Sequence, residues 1–361
     1  MKLKLSLNQV INLIAEGGKT NTVLVEGPMG QGKSSMGKVL SDMFPTHTYC
    51  YFDCTIKQAG DVVIPKIKNV EETDSDYVRF ATAEDLGAHL GGPVIINLDE
   101  IGKAPAGVRD SLMRLMLERK IGPYTLHPDS LVFATTNLAA EGLGDMIKPH
   151  HANRITVVTL RHMTNTEYIE WGVNNGVDVS VLSWAKDNPH AFASFEDYEN
   201  PNDNEYIFHP RANRVAVCTP RSITRASGWV ALRDKLDKQS LTAAICGTIG
   251  TRAGLDMMAH VDLIGQMPTI ESIRRDPHNA VVPSSMPALS MVIYKALQNI
   301  DSSWADSWFA YLKRLTPVAQ AVFVNGVRAQ SYSPQRRSVV MNSAEFTAWV
   351  HQNNHLFSVD R

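Results

Sequence analysis

Through the first half of the chain, short apolar runs alternate with longer stretches whose apolar residues recur at helical spacing. Residues 22–26, 47–53, 94–98, 130–135 and 154–160 are short, rich in β-branched side chains and apolar, which predicts strands. Between them, residues 33–44 and 107–119 are amphipathic, and Val108, Leu112, Leu115 and Met116 share one face of the second stretch. Strands separated by helices cannot pair as hairpins and must cross over. The pattern therefore predicts an α/β domain built on a five-stranded parallel sheet.

Two stretches break this rhythm. Residues 55–89 join one strand to the next, contain Gly60, Pro65 and the acidic Glu71, Glu72, Asp74 and Asp76, and are too long for a simple crossover, so they should hold a small extra element. Residues 117–129 set Gly122 and Pro123 between two short runs, the pattern of a β-hairpin. Beyond Leu160 helical periodicity takes over, at 222–235, 240–259, 289–300, 303–315 and 345–356, with a polar surface excursion at 195–205. Pro268, Pro277, Pro283 and Pro287 cluster and mark a linker. The expected domains are an α/β unit over 1–165, a helical unit over 166–270, and a linker with further helices over 271–361.

Composition narrows the function classes. A chain of 361 residues with 44% apolar and 20% charged positions can bury the core of about two or three packed units, which excludes a disordered chain or a coiled-coil rod. Lys+Arg number 35 against 37 Asp+Glu, a net charge of −2, so no overall positive field favours nucleic acid. The four cysteines, Cys50, Cys54, Cys218 and Cys246, form no CxxC pair, which argues against a zinc ribbon or a disulfide framework. Asn8, Gln9, Asn12 and Glu16 interrupt the N-terminal apolar run, no later stretch has membrane-spanning length, and no lipidation motif ends the chain. The expectation is a cytoplasmic protein with no membrane association.

Two motifs carry chemistry. Gly27-Pro28-Met29-Gly30-Gln31-Gly32-Lys33-Ser34, followed by Ser35, matches G-x-x-x-x-G-K-[ST] between a predicted strand and a predicted helix. Its glycines let successive N–H groups face phosphate oxygens, and the helix start adds positive potential. Lys33 would reach the β- and γ-phosphates of ATP and Ser34 would offer a hydroxyl to Mg2+. The second motif, Val94-Ile-Ile-Asn-Leu-Asp-Glu100, is an apolar strand ending in two carboxylates. Asp99 would hold Mg2+ and Glu100 would polarise the attacking water, a pairing that suits a hydrolase better than a small-molecule kinase. His150-His151 lacks an acid or cysteine at ligand spacing and reads as a solvated pair. Asp53 reads as a turn aspartate or a contact of the catalytic acid. Trp304, Trp308 and Phe309 read as core or interface rather than a base-stacking platform.

The stretches GPMGQGKSS, VIINLDEIGKAPAGVRDSLMRLMLERK, LVFATTN, NRITVV and TPRS follow one another over residues 27–222. Together they resemble the AAA+ ATPases of the MoxR-like group, in the helix-2-insert clade. The resemblance, which does not extend to residues from Ala288 onward, implies a P-loop AAA+ domain, a helical lid, and a homo-oligomeric, usually hexameric, ring with ATP between neighbours. It places Asn137 at the sensor-1 position, Arg154 at the arginine finger with Arg161 as the alternative, and Arg221 at sensor 2, with Arg225 one turn on. It also implies that the insertions at 60–79 and 120–127 face the ring's pore. Its function would be remodelling or activation of a protein client, in this group often a von Willebrand A domain protein. A nucleic-acid-translocating AAA+ motor is the alternative, against which stand the near-neutral charge and the acids facing Lys57, Lys66 and Lys68 in the first insertion. A nucleotide-gated scaffold without turnover is a third, opposed by the presence of Glu100, Asn137 and Arg154.

Overall fold

A computed structural model describes residues 3–70, 75–138 and 154–352. His150, His151, Glu71, Glu72 and Asp74 lie outside the described residues. The chain falls into two compact units, Met1–Met163 and Thr164–Arg361. The expected division at 270/271 falls within the second.

In the first unit the elements run β1 (Lys4–Leu5), α1 (Leu7–Gly17), β2 (Val23–Gly27), α2 (Met36–Met43), β3 (Thr48–Asp53), α3 (Ala59–Val62), β4 (Val63–Val70), β5 (Ser75–Thr82), β6 (Val94–Asp99), α4 (Ala106–Glu118), β7 (Lys120–Ile121), β8 (Tyr124–Thr125), β9 (Leu131–Asn137) and β10 (Thr156–Leu160). The central sheet has the order β1-β10-β2-β9-β6-β3, with every neighbouring pair parallel. The five predicted strands are present. The sixth, β1, is a two-residue edge strand too short to show a period.

Side-chain alternation explains why the central strands read as continuous apolar runs. Leu24, Ile96, Leu98, Val132 and Ala134 pack with Leu112, Leu115 and Met116 of α4 on one face. Val23, Val25, Ile95, Leu131 and Phe133 pack with Val10, Ile14, Met36 and Leu40 of α1 and α2 on the other. A strand covered on both faces needs apolar residues at every position. The crossovers also place all the strands' C-terminal ends on one edge, where open α/β sheets bind ligands. That edge carries Gly27, Asp53, Asp99 and Asn137, with Gly27 paired in register to Asn137 and Asp53 to Asp99.

Both insertions are hairpins. The first adds α3 and an antiparallel β4–β5 ribbon in which Ile64, Ile67, Val78 and Phe80 are exposed. The second is β7–β8, turning at Gly122. Its base is pinned by Arg119, which ends α4 in a left-handed conformation (φ 56°). The Arg119 guanidinium donates to the Gly18 carbonyl at 3.0 Å, the Lys19 carbonyl at 3.3 Å, the Met116 carbonyl at 2.7 Å and the Thr22 hydroxyl.

The second unit is helical among its described residues: α5 (Asn165–Asn174), α6 (Val179–Asp187), α7 (Pro220–Val230), α8 (Lys238–Ile249), α9 (Thr251–Asp262), α10 (Ile270–Arg275), α11 (Met286–Asn299), α12 (Ala305–Leu312), α13 (Pro317–Arg328), α14 (Pro334–Met341) and α15 (Ala344–Gln352). Three differences from the sequence reading have local causes. The single helix expected over 240–259 is two, because Gly250 takes φ 95° and ends α8. Helix α5, missed by periodicity, is announced by the capping box of Thr164 and Glu167. Helix α6 is buried at seven of its nine positions, so no polar stripe marks its period. Trp304, Trp308 and Phe309 are core, packed with Phe323 and Phe346. No helix among the described residues is long and apolar enough to cross a membrane.

Candidate functional site

The loop after β2 turns through Gly30 (φ 70°) and Gly32 (φ 85°), left-handed conformations that favour glycine, and then enters a short 3-10 turn, Lys33–Ser35, ahead of α2. Gly27 is required for another reason: a Cβ there would lie 2.7 Å from the Leu160 Cβ. Gln31 ties the loop to the segment after β10, its Oε1 accepting from the Met163 amide at 2.9 Å and its Nε2 lying 3.3 Å from His162 Nδ1. Ser35 is exposed and donates to the Gly32 carbonyl at 2.6 Å, closing the turn.

Lys33 is 5% exposed. Its Nζ donates at 2.8 Å to each of the Gly27 carbonyl, the Pro28 carbonyl and Asn137 Oδ1. Asn137, at the end of β9, in turn donates from Nδ2 to Glu100 Oε1 at 2.7 Å. Lys33, Asn137 and Glu100, from three separate strand ends, thus form one chain of polar contacts. The other carboxylate oxygen of Glu100 is buried and accepts no hydrogen bond from the described residues. Its near charge is Lys103 Nζ, 3.3 Å away.

Asp99, 6% exposed, serves different partners. Its Oδ2 accepts from Ser34 Oγ at 3.1 Å and from the Tyr51 hydroxyl at 2.8 Å, while Oδ1 accepts from the Thr135 hydroxyl. Thr135 Oγ1 also accepts from the Glu100 amide at 3.2 Å, so one threonine supports both acids. Glu100 takes φ 54° and ψ 40°, which turns the chain sharply between the two carboxylates. A non-glycine residue there costs on the order of 1–3 kcal/mol, a strain that concentrates at functional positions. Burial, reinforced by the hydrogen bond to Asp99 and its charge, holds the Tyr51 phenol well above the ordinary tyrosine range. The hydroxyl therefore remains a donor at every physiological pH.

The strand ends thus gather Lys33, Ser34, Asp99, Glu100 and Asn137. Arg154 stands apart from these hydrogen bonds, exposed in the turn before β10. Arg161 is half-buried and donates to the His162 carbonyl at 2.9 Å. Arg221 belongs to the second unit, exposed at the second position of α7, whose start is fixed by the Thr219 cap and Pro220; Arg225 is exposed one turn further. Asp53 is the last residue of β3 and braces the turn after it, accepting from the Thr55 amide and hydroxyl at 2.9 and 2.7 Å. Cys54 is buried, and burial pushes its thiol up to about 12. Among the described residues no cluster of His, Cys, Asp and Glu could hold a metal by itself.

The donor set fits a magnesium nucleotide. A loop with two left-handed glycines and a buried lysine suits a polyphosphate. The Ser34 hydroxyl beside an Asp99 oxygen is an all-oxygen pair of the kind Mg2+ uses while keeping most of its waters. The buried Glu100 oxygen, ion-paired with Lys103 but accepting no hydrogen bond from the described residues, is the kind of acceptor a positioned water would suit.

No protein-family model matches the chain. Among solved structures, it is similar to a candidate ATPase of Cytophaga hutchinsonii, with 14% identity over 67% of this chain and 80% of that one, at a TM-score of 0.35. It is similar also to the RuvB Holliday junction branch migration motor of Thermotoga maritima, with 17% identity over 70% of this chain and 67% of that one, again at 0.35. Sheet order, phosphate loop and paired acids together define the fold class: a P-loop α/β domain of the AAA+ type, followed by helices. Within that class the chain resembles the MoxR-like group.

Proposed function

We propose that this chain is a Mg2+-dependent ATPase that assembles as a homo-oligomeric, hexameric ring and couples ATP hydrolysis to remodelling or activation of a protein partner, as a cytoplasmic MoxR-like chaperone. The observation that carries the reading is the polar chain Lys33–Asn137–Glu100 beside the Ser34–Asp99 pair at the edge of a parallel sheet. Gly27 to Ser35 would wrap the phosphates, and Lys33 would exchange its Gly27 and Pro28 carbonyl partners for phosphate oxygens. Mg2+ would neutralise the developing phosphate charge. Ser34 and Asp99 would hold that ion, and Glu100 would accept the proton of the attacking water, oriented by Asn137. Arg154 is assigned to the neighbouring subunit's nucleotide and Arg221 to the lid side of its own.

The exposed apolar ribbon of the first insertion supports a protein client over nucleic acid. One face of the ribbon is apolar, with Ile67, 75% exposed, opposite Val78 and beside Phe80, which suits a protein; the other sets exposed Lys66 opposite Arg79, a single cation pair rather than the cation strip that tracks DNA. A von Willebrand A domain protein is the client class we assign. The test separates binding from turnover. Lys33→Ala should abolish nucleotide binding, whereas Glu100→Gln should retain ATP and stop hydrolysis. Hydrolysis by Glu100→Gln at the parent rate would refute the assignment of the base, and ATPase stimulation by DNA that fades with salt would favour a nucleic-acid motor.

A further inference from the structure

The carboxylate of Asp99 cannot fix its own orientation: a terminal carboxyl rotates broadly about its last torsion unless both oxygens are held. Here both are. Thr135 from β9 grips Oδ1, and Tyr51 from β3 grips Oδ2 at 2.8 Å. The two grips come from the strands on either side of β6, so the carboxylate is clamped across the sheet. Tyr51 is an unusual residue for the purpose. It is 44% exposed overall, yet its hydroxyl reaches the buried acid. Its neighbour on the same strand face, Tyr49, makes no such contact, accepting instead from Asn97 Nδ2 at 3.3 Å.

Resting on the nucleotide-site reading above, we infer that Tyr51 is a positioning residue for the metal-binding acid: its hydroxyl holds Asp99 in the orientation that receives Mg2+ with the bound nucleotide. The oxygen it grips is the one Ser34 also reaches, at 3.1 Å, which places the support on the metal's side of the carboxylate. Oδ2 accepts from Ser34 beside Tyr51, and Ser34 and Asp99 are the residues that would hold Mg2+ there. Partners of this kind, one bond behind a metal ligand, typically contribute about 10- to 100-fold in metal affinity.

The experiment uses the full chain with Mn2+ as the paramagnetic probe and AMP-PNP as nucleotide. Free and bound Mn2+ are read by electron paramagnetic resonance, and AMP-PNP affinity is measured separately in excess EDTA. Tyr51→Phe, which removes only the hydroxyl, should weaken Mn2+ in the ternary complex about tenfold and leave the EDTA affinity unchanged. Tyr49→Phe should match the parent in both. Unchanged Mn2+ affinity in Tyr51→Phe, with Asp99→Asn losing it, overturns the role of Tyr51 alone. An equal fall in both affinities also overturns it, since Tyr51 would then serve the fold. Retained Mn2+ affinity in Asp99→Asn overturns the metal site itself, and with it the reading on which this inference rests.

Discussion

Thr135 shows how much one hydroxyl can organise at this site. It donates to Asp99 and accepts from the Glu100 amide, so Thr135→Val, close in shape, strands a buried carboxylate oxygen and a backbone donor together. Leaving such groups unsatisfied costs about 1–3 kcal/mol each. Thr135→Val should therefore lower the denaturation midpoint and the ATPase rate together, and Thr135→Ser should restore most of both; a fully stable, fully active Thr135→Val would refute the bridging role. The phosphate loop, the paired acids and Asn137 were legible in the sequence because each lies in a contiguous motif at a strand end. Thr135, Tyr51 and Lys103 were not. Tyr51 reaches Asp99 because β3 pairs in register with β6, and Lys103 reaches Glu100 because the turn after the strand is tight, and neither relation is written in spacing.

At the scale of elements, helix α2 is held against β3 by an absent side chain. A Cβ on Gly37 would lie 2.2 Å from the Tyr49 ring, whereas one on Gly228, in α7, would meet nothing within 4 Å. Gly37→Ala should thus destabilise by about 1–3 kcal/mol through overpacking. Gly228→Ala should be neutral or stabilising by up to about 1 kcal/mol, since alanine favours the helix. Urea unfolding of the two variants checks the pair, and equal midpoints would show that the α2–β3 contact relaxes freely. Strands were legible because burial on both faces makes them uniformly apolar. Some misses came at elements whose pattern is degenerate, the two-residue β1, the all-round buried α6 and the helix pair that Gly250 separates, whereas α13 and α14 were passed over although Thr316-Pro317 and Ser333-Pro334 announce their starts.

For the whole molecule, the ring proposal has a consequence that no single subunit can display. Arg154→Ala keeps the phosphate loop and Glu100; Glu100→Gln keeps Arg154. Each alone should lose most turnover, since an arginine finger contributes about 10³ to 10⁵ in rate. A mixed ring contains interfaces with both working parts, so combining the two inactive proteins under subunit exchange should restore partial ATPase activity that varies with mixing ratio. Silent mixtures with confirmed co-assembly would remove the trans role from Arg154 and turn attention to Arg161, Arg109 and Arg114. The change of period after Leu160 was visible in the sequence, because strand alternation and helical spacing are different signals, and the further division read at 270/271 falls inside the second compact unit. No pattern of residues marks the proposed oligomer, which rests on the resemblance alone, since a surface that meets a copy of itself need not be distinguishable from one that meets water.

Arg119 sets the mechanics of the second hairpin. It caps α4, stands immediately before β7, and is bolted to the Gly18 and Lys19 carbonyls in the turn between α1 and β2. The β7–β8 arm therefore has a fixed fulcrum on the sheet, and its short length makes it a stiff lever rather than a loose tether. A shift of α4 driven from the proposed nucleotide site at its other end would turn about that pivot and reach the hairpin tip.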